Sequence, residues 1–567
     1  MLSPISCYIL AVLASLVLCA PSDKSLGSSG NAKYPGALSV TLSQGTYYGV
    51  RNSHYAQDFF LGIPYAQPPK GSLRFAPPQP LITPVSGPQN ATEYSPMCIG
   101  YGSDTSNLGN YVSEDCLTIN VVRPAGTSEK DQLPVAVWIH GGSYVMGGSR
   151  DPRYNLTFIV EQSVKEGKPI IAASINYRLS YWGFLFSSEL QETGAGNLAF
   201  RDQRMALQWV HDNIAVFGGS PEKVTVWGES AGARSIGMQL IAYDGDNKGL
   251  FRSAVLQSGS PVAKFANADT WQPYFDAVVE RTGCANATNR LGCLRALPWE
   301  TLNGIFNSTT SLGVSSPSLS AVIDDDFITA QGYKLLREGK FARVSLLIGN
   351  NFDEGTAYAK KGINDTSQFL SYVISQGINT SLADTVGELY PDDPTVGIPE
   401  SYEGRPPDYP YGSQFKRVAA FAGDVQQHSG RRLTAESYVG ASVPVYSYMW
   451  NVHVNGISEI YGATHFQEVA FVFNNTQGLG YSVDPFANKP ETFKELADMM
   501  SKMWVSFIHS GNPNLRDDSR QCATWPQYTP DNPNNFVFDV NVTNLSYVDT
   551  DDYRKPGISY LLENLFS

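Results

Sequence analysis

The chain has 567 residues, of which 16% are charged and 12% aromatic, and it carries a net charge of −13. A chain of this length can bury a large core, and so little charge with so many aromatic side chains excludes a disordered or coiled-coil protein. An acidic surface repels phosphate backbones, so nucleic acid is not an expected partner.

The first twenty residues form an uncharged, largely apolar segment, and a polar Ser/Gly stretch from Pro21 to Lys33 follows it. The apolar part is too short to cross a bilayer comfortably, and its position is typical of a signal peptide, although it lacks an early Lys or Arg. The alternative, a buried N-terminal helix, is disfavoured by the polar stretch. We expect residues 1–20 to be a signal peptide and residues 21–567 a single domain, secreted, extracellular and without a stable membrane anchor.

Five cysteines remain after this segment. Two short-range pairs suggest themselves, Cys98–Cys116 and Cys284–Cys293, and Cys522 is left over as a candidate buried thiol. No Cys-x-x-Cys or His-x-His spacing supports a metal site, so no metal is expected. Together with a signal peptide and paired cysteines, nine Asn-x-Ser/Thr triplets favour a secreted glycoprotein. The candidate glycosylation sites are Asn90, Asn155, Asn286, Asn307, Asn364, Asn379, Asn474, Asn541 and Asn544.

Six short apolar runs are typical of strands that are buried on both faces of a parallel sheet. They lie at residues 133–139, 169–175, 224–227, 253–256, 344–348 and 443–448.

Apolar side chains at helical spacing indicate a helix over residues 197–217, closed by Gly218 and Gly219. Alternating strands and helices predict an α/β, doubly wound architecture. No repeat or linker-like break follows Lys33, and the Pro/Tyr/Asp-rich stretch 390–411 is interpreted as an excursion from one domain.

The run His140-Gly141-Gly142-Ser143-Tyr144 directly follows the first strong core strand. It is similar to a His-Gly-Gly-Gly loop, whose backbone N–H groups stabilise the oxyanion of a tetrahedral intermediate. The alternative is an ordinary glycine turn. The run follows a core strand and lies upstream of a Gly-x-Ser-x-Gly segment at residues 228–232. This position favours the functional interpretation.

The segment Gly228-Glu229-Ser230-Ala231-Gly232 fits the pattern Gly-x-Ser-x-Gly, between a predicted strand and a helical stretch. That is the context of a nucleophile elbow, a tight turn that presents the serine at the end of the sheet. The glycines leave room for neighbouring backbone, and the helix N-terminus favours developing negative charge. A simple Gly/Ser turn is the alternative, and the flanking strand and helix disfavour it.

A serine hydroxyl needs a base within hydrogen-bond reach, and the base needs an orienting acid. Asp353 and Glu354 follow a predicted strand, where a carboxylate can join a site at the end of the sheet. The residues alone leave the choice between these two open. Of the four downstream histidines, His465 is favoured because it lies in a short loop, residues 462–468. The other three are His428, His453 and His509.

Several motifs resemble those of the type-B carboxylesterase/lipase family, which includes cholinesterases and secreted fungal esterases and lipases. They are FLGIPYA at 60–66, SEDCLTINV at 113–121, NLAFRDQ at 197–203, GGSP at 218–221, GESAG at 228–232 and DEG at 353–355. The resemblance covers nearly the whole mature chain. It implies an α/β-hydrolase fold with a large, mostly parallel central sheet, helices on both faces and long loop excursions.

For the site, the resemblance implies Ser230 as nucleophile, His465 as base and Glu354, rather than Asp353, as the acid. It implies oxyanion donors from the backbone of Gly142, Ser143 and Ala231, although the family usually has Gly where Ser143 stands. It also implies both disulfides and two structural ion pairs, Arg74–Glu114 and Arg178–Asp202. No cofactor is expected.

We therefore expect a secreted serine hydrolase that cleaves carboxylic esters, a carboxylesterase, with a small-molecule or lipid ester as substrate. The loop between Cys98 and Cys116 is short and mostly polar, and it offers little apolar surface to an oil interface. A triacylglycerol lipase is the close alternative. A catalytically silent, cholinesterase-like interaction protein is the rival from another class, and the presence of all three reactive residue types disfavours it.

Overall fold

The computed structural model describes residues Leu38–Ser567, apart from 83, 85–86, 309–311 and 516–522. The expected signal peptide and Cys522 lie outside the described residues. Within them, no helix has both the length and the apolar character needed to cross a bilayer.

The central feature is an eleven-stranded sheet formed by the described residues. Its neighbouring parallel strands are, in spatial order, Asn534–Phe538, Val445–Trp450, Ser345–Asn351, Ser253–Gln257, Gly219–Glu229, Leu133–Ile139 and Ile171–Ile175. Antiparallel strands complete both edges: Ser546–Thr550 on one side, and Thr118–Pro124, Gln57–Pro64 and Val50–Asn52 on the other. The six predicted strands are confirmed, and they lie side by side in the parallel part of the sheet.

Two small sheets lie outside the central one. Their strands are Ser39–Leu42, Gly45–Tyr48 and Gln89–Asn90 in the first, and Met97–Cys98 and Val112–Ser113 in the second.

Helices fill most of the connections between strands. The α-helices of the described residues are Ser103–Asn107, Leu156–Lys165, Ser180–Phe184, Ser188–Glu192, Leu198–Asn213, Ala231–Ile241, Ala268–Arg281, Arg290–Ala296, Trp299–Phe306, Gly332–Arg337, Thr366–Ser375, Thr380–Leu389, Phe415–Gly423, Ser429–Gly440, Val469–Val472, Thr492–Ser510 and Lys555–Asn564. The helix predicted over 197–217 is confirmed as Leu198–Asn213 with a 3₁₀ turn to Phe217, and Gly218 ends it with a φ of +88°.

Both faces of the sheet are buried, which is why its strands are almost continuously apolar. Val135 and Val137 of one central strand join a core on one face, while Ala136 and Trp138, which alternate with them, join a core on the other. The first core includes the helix after Ser230, and the second includes the helix Thr492–Ser510. The expected α/β-hydrolase architecture is confirmed.

The two expected disulfides and the two expected ion pairs are present. Cys98–Cys116 closes a loop beside the sheet, and Cys284–Cys293 links the turn after the helix Ala268–Arg281 to the helix Arg290–Ala296, within a third apolar cluster. Arg74 pairs with Glu114 through both carboxylate oxygens, at 2.5 and 2.8 Å, and Arg178 pairs with Asp202 at 2.7 and 2.6 Å. Both pairs are largely buried and tie loops to the scaffold.

Candidate active site

Ser230 lies in a sharp turn between the strand Gly219–Glu229 and the helix Ala231–Ile241. Its φ and ψ are 56° and −123°, a conformation that is strained for any residue other than glycine. A Cβ added at Gly228 would lie 2.7 Å from the Ile139 carbonyl oxygen, and one at Gly232 would overlap the same carbonyl. The two glycines are therefore required because the neighbouring strand passes so close to the turn.

Three side chains form a continuous hydrogen-bonded row. His465 Nε2 lies 2.8 Å from Ser230 Oγ, and His465 Nδ1 lies 2.6 Å from Glu354 Oε2. Since a carboxylate only accepts hydrogen bonds, Nδ1 of the neutral ring carries the proton and Nε2 accepts from the serine hydroxyl. Glu354 is fully buried and His465 is 14% exposed, so the row opens to solvent on the serine side.

The structure distinguishes Asp353 from Glu354. Asp353 Oδ2 accepts a hydrogen bond from the backbone N–H of Ala463 at 2.8 Å, and its own N–H donates to Ala463 O at 3.0 Å. Burial raises the pKa of Asp353 to about 7. Asp353 therefore holds the loop that carries His465, while Glu354 contacts the imidazole.

Glu354 is held by residues from neighbouring strands. The hydroxyl of Ser258 and the backbone N–H of Asn351, at 2.9 Å, both donate to Oε1, and Oε2 is left to His465. Ser258 follows the strand Ser253–Gln257, and Asn351 ends the adjacent parallel strand Ser345–Asn351. This arrangement fixes the carboxylate in the orientation that a base-orienting acid requires.

Two more buried glutamates surround the imidazole. Glu229 Oε1 lies 3.2 Å from His465 Nε2, and burial raises the pKa of Glu229 well above its ordinary value. Glu468 accepts hydrogen bonds from Gln257 Nε2 at 3.1 Å and Asn351 Nδ2 at 2.8 Å. Burial, followed by the charge of Glu354, raises the pKa of Glu468 as well.

This acidic environment governs the imidazole. Burial would lower the pKa of His465, but the carboxylates of Glu229, Glu354 and Glu468 favour the imidazolium and raise the pKa to about 9. A histidine that takes up a proton during a reaction is stabilised in this environment.

The glycine-rich loop, residues 140–144, lies against Ser230. A Cβ at Gly141 would lie 3.1 Å from Ser230 Cβ, and Gly142, Ser143 and Tyr144 all have positive φ values. A Cβ at Gly142 would overlap the Met146 carbonyl, so the loop requires glycine there. Among the described residues, none accepts a hydrogen bond from the N–H groups of Gly142, Ser143 or Ala231.

The other downstream histidines lie elsewhere. His428 is buried beside Asn350, with ring and amide nitrogens 3.3 Å apart, and burial lowers its pKa well below the ordinary value. His453 Nε2 lies 2.6 Å from Ile457 O, and His509 belongs to the last turn of the helix Thr492–Ser510. Of the four, His465 is the one that contacts Ser230.

Residue patterns did not identify Ser258, Glu229 and Glu468 as parts of the site. Glu229 lies within residues 228–232 and Glu468 within residues 462–468, so the signal was their sequence proximity to Ser230 and His465. Ser258 had a weaker signal, its place immediately after the strand Ser253–Gln257, where side chains reach the end of a parallel sheet.

The chain is similar to known proteins over most of its length. The model of the carboxylesterase family matches residues 37–553. Lipase 4 of Diutina rugosa is 35% identical over 568 residues, covering 93% of this chain and 96% of its own length. Secreted lipase 1 of Botryotinia fuckeliana is 35% identical over 564 residues, covering 93% of each chain.

Among solved structures, Aspergillus niger EstA superimposes with a TM-score of 0.80 at 25% identity, covering 94% of this chain and 99% of the other. A structure titled PNB esterase superimposes with a TM-score of 0.75 at 26% identity, covering 92% and 99%. The family resemblance seen in the motifs is confirmed. This chain belongs to the carboxylesterase family and is a carboxylic ester hydrolase.

Proposed function

We propose that Ser230, His465 and Glu354 are the nucleophile, the base and the orienting acid of this hydrolase. The observation that carries the proposal is the position of His465, with its two ring nitrogens 2.8 Å from Ser230 Oγ and 2.6 Å from Glu354 Oε2. This contact argues against the rival role of a catalytically silent interaction protein, which has no need of such an arrangement.

The reaction follows from these contacts. Ser230 Oγ attacks the ester carbonyl while His465 Nε2 takes its proton, and Glu354 stabilises the imidazolium that forms. The tetrahedral oxyanion accepts hydrogen bonds from the backbone N–H groups of Gly142, Ser143 and Ala231. His465 then protonates the leaving alcohol. Water, deprotonated by the same imidazole, attacks the acyl-enzyme and releases the acid.

Replacing Ser230 tests the proposal. Ser230→Ala should lower kcat for a soluble 4-nitrophenyl ester by several orders of magnitude, because the acyl-enzyme cannot form. Circular dichroism should show a folded protein. Ser188→Ala, at an exposed serine, is the matched control and should retain wild-type kcat. Wild-type activity in Ser230→Ala would remove Ser230 from its role.

The substrates that we propose are monomeric or short-chain carboxylic esters. The loop between Cys98 and Cys116 packs its Ile99 into the interior, and only Tyr111 of its large apolar residues is half exposed. The loop is also tied down, since Tyr101 exchanges hydrogen bonds with Asn303 and Trp182. A tethered loop with a mostly polar outer surface gives little area for an oil–water interface.

A triacylglycerol lipase is the second candidate. It is favoured by the names of the relatives, such as the secreted triacylglycerol lipase of Gibberella zeae, which is 32% identical over 538 residues. Ester chemistry is the same in both cases, and the difference lies in whether the substrate is dissolved or emulsified.

Secretion belongs to the same proposal. It is supported by the apolar N-terminal segment, by the two disulfides and by relatives named as secreted. Seven of the nine candidate glycosylation asparagines are exposed. Asn155 and Asn474 are half-buried, and their side chains contact Thr157 and Gln162, so we rank them last as glycan acceptors.

A further inference from the structure

A cleft of about 390 Å³ lies on the side of the helix that begins after Ser230. Arg234 and Lys264 line it together with apolar side chains that include Val262, Leu319 and Val425. No Asp or Glu is among the described residues that line it. We call this the cationic cleft.

The positive charges of the cationic cleft are not neutralised by the described residues. Arg234 uses Nη2 to donate to Gln426 O at 2.7 Å and to Gln426 Oε1 at 3.1 Å, and its other guanidinium nitrogens have no acceptor among the described residues. Lys264 Nζ donates to the carbonyl of Gly377 at 3.3 Å. In the described part of the chain, neither cation has a carboxylate within 4.0 Å.

A second cleft of the same volume shows the contrast. It is lined by Arg153 and by Phe466, the residue after His465. Here the guanidinium pairs with Asp104 at 2.7 Å and with Asp151 at 2.6 Å, so its charge is balanced within the protein. The two clefts therefore differ in the charge that they offer to a ligand.

The cationic cleft is close to the nucleophile. The backbone N–H of Arg234 donates to Ser230 O at 2.9 Å, one helical turn away, which is a rise of about 6 Å. Burial raises the pKa of Tyr144, and the charge of Arg234 opposes this rise. The field of the guanidinium thus reaches the residue that follows Ser143 in the glycine-rich loop.

One wall of the cationic cleft is a π-helical turn, Asp424–His428, which contributes Val425 and Gln426. Such turns are rare and occur frequently at functional sites. The next residue, Gln427, donates to the hydroxyl of Tyr358 at 2.9 Å, and the Tyr358 ring lies 5.2 Å from the His465 ring. Gln427 and Tyr358 therefore connect the wall of the cleft to the imidazole of His465.

We propose that the cationic cleft binds a carboxylate carried by the ester substrate, so that the enzyme prefers esters with a second, ionised carboxyl group on a short apolar spacer. A guanidinium with free donors binds carboxylate by charge-assisted hydrogen bonds, and the apolar wall accommodates the spacer. The inference rests on the proposed role of Ser230, because it places the carboxylate relative to that residue.

Paired substrates test this inference. On the acyl side, mono(4-nitrophenyl) glutarate is compared with 4-nitrophenyl pentanoate. On the alcohol side, 2-carboxyethyl butanoate is compared with propyl butanoate. In at least one pair the charged ester should have the higher kcat/KM, by about tenfold, and added salt should reduce this ratio. The pair that shows the preference identifies the half of the substrate that carries the carboxylate.

Variants assign the preference to the cleft. In the double variant Arg234→Gln, Lys264→Gln the charged-to-neutral ratio should fall about tenfold. Arg234→Lys should retain part of the ratio, and the double variant Lys130→Gln, Lys223→Gln, which loses the same two positive charges at exposed positions, should leave it as in the wild type. A ratio near or below one for both pairs in the wild type, or one that the double variant leaves unchanged, would overturn the inference.

A binding experiment separates this inference from the proposed mechanism. Glutarate titrated calorimetrically into Ser230→Ala protein should bind, and Arg234→Gln in that background should weaken the binding about tenfold. Absence of glutarate binding would count against the cleft whether or not Ser230 is the nucleophile. Full activity of Ser230→Ala on neutral esters would refute the mechanism. Glutarate binding that Arg234→Gln weakens would still support the cleft as a carboxylate site.

Discussion

Glu229 occupies an unusual position, because it precedes Ser230 in sequence and faces the imidazole of His465 in space. Its Oε1 lies 3.2 Å from the same nitrogen of His465 that contacts Ser230. Burial has the largest effect on the pKa of His465 and lowers it. The charge of Glu229 has the next largest effect, and together with that of Glu354 it raises this pKa to about 9. A neutral imidazole is needed to accept the serine proton, so Glu229 contributes, with Glu354 and Glu468, to the pH at which His465 becomes available as a base.

We expect kcat/KM for a soluble ester to rise with pH through a midpoint above ~6.5, the ordinary histidine value. Glu229→Gln removes a carboxyl group whose ionised form stabilises the imidazolium, so the midpoint should move to lower pH. Glu491→Gln, at an exposed glutamate, is the matched control. A midpoint in Glu229→Gln that is equal to or higher than the wild-type value would contradict this role.

A buried charged cluster joins the end of the sheet to the helix Ser429–Gly440. Asp551 accepts hydrogen bonds from Arg431 at 2.5 Å and Arg432 at 2.9 Å, and from the Tyr528 hydroxyl at 2.9 Å. Burial would raise the pKa of Asp551, but the two guanidinium groups hold it well below its ordinary value. All three charged side chains are almost inaccessible, so the cluster depends on its own pairing.

Asp551→Asn should lower the free energy of unfolding by about 3–5 kcal/mol, since it leaves two buried cations with one charge fewer to balance them. Urea unfolding at pH 7 measures the loss, with Asp549→Asn, at an exposed position, as the control. Because the folded pKa of Asp551 is depressed, its contribution is complete above about pH 4 and declines only in stronger acid. A loss at pH 7 no larger than that of Asp549→Asn would contradict this.

The arrangement of the whole molecule bears on whether the substrate is dissolved or emulsified. The loop closed by Cys98–Cys116 is tethered to the third apolar cluster and to Arg153, which pairs with Asp104 at 2.7 Å. We infer that this loop does not need to open at an oil surface for the site to be reached.

With a sparingly soluble ester such as tributyrin, we expect the rate to approach saturation below the solubility limit. Emulsified substrate should bring little further increase. A titration of initial rate against concentration across that limit measures this. A sharp rise that begins only when droplets form would favour the triacylglycerol lipase and would contradict the preference for dissolved esters.

Local patterns were sufficient for much of the architecture. The apolar runs located six central strands because burial on both faces leaves few polar positions, and the helix Leu198–Asn213 was visible from its spacing and its closing glycine. Gly228 and Gly232 identified the elbow, because the two positions that require glycine for steric reasons lie within five residues of sequence. Residue patterns favoured His465 as the base but left Asp353 and Glu354 open as the acid, and the family resemblance then favoured Glu354.

Other features depend on how distant segments meet. Asp353 and Glu354 are neighbours in the chain, yet one binds a loop and the other the imidazole, and only the direction in which each side chain leaves the end of its strand separates them. Ser258 contacts Glu354 because parallel strands and their following turns converge at one edge of the sheet. In the described part of the chain, Arg234 has no carboxylate within 4.0 Å, which no short pattern around it shows. Such convergence brings together residues far apart in sequence, and short-range patterns do not encode it.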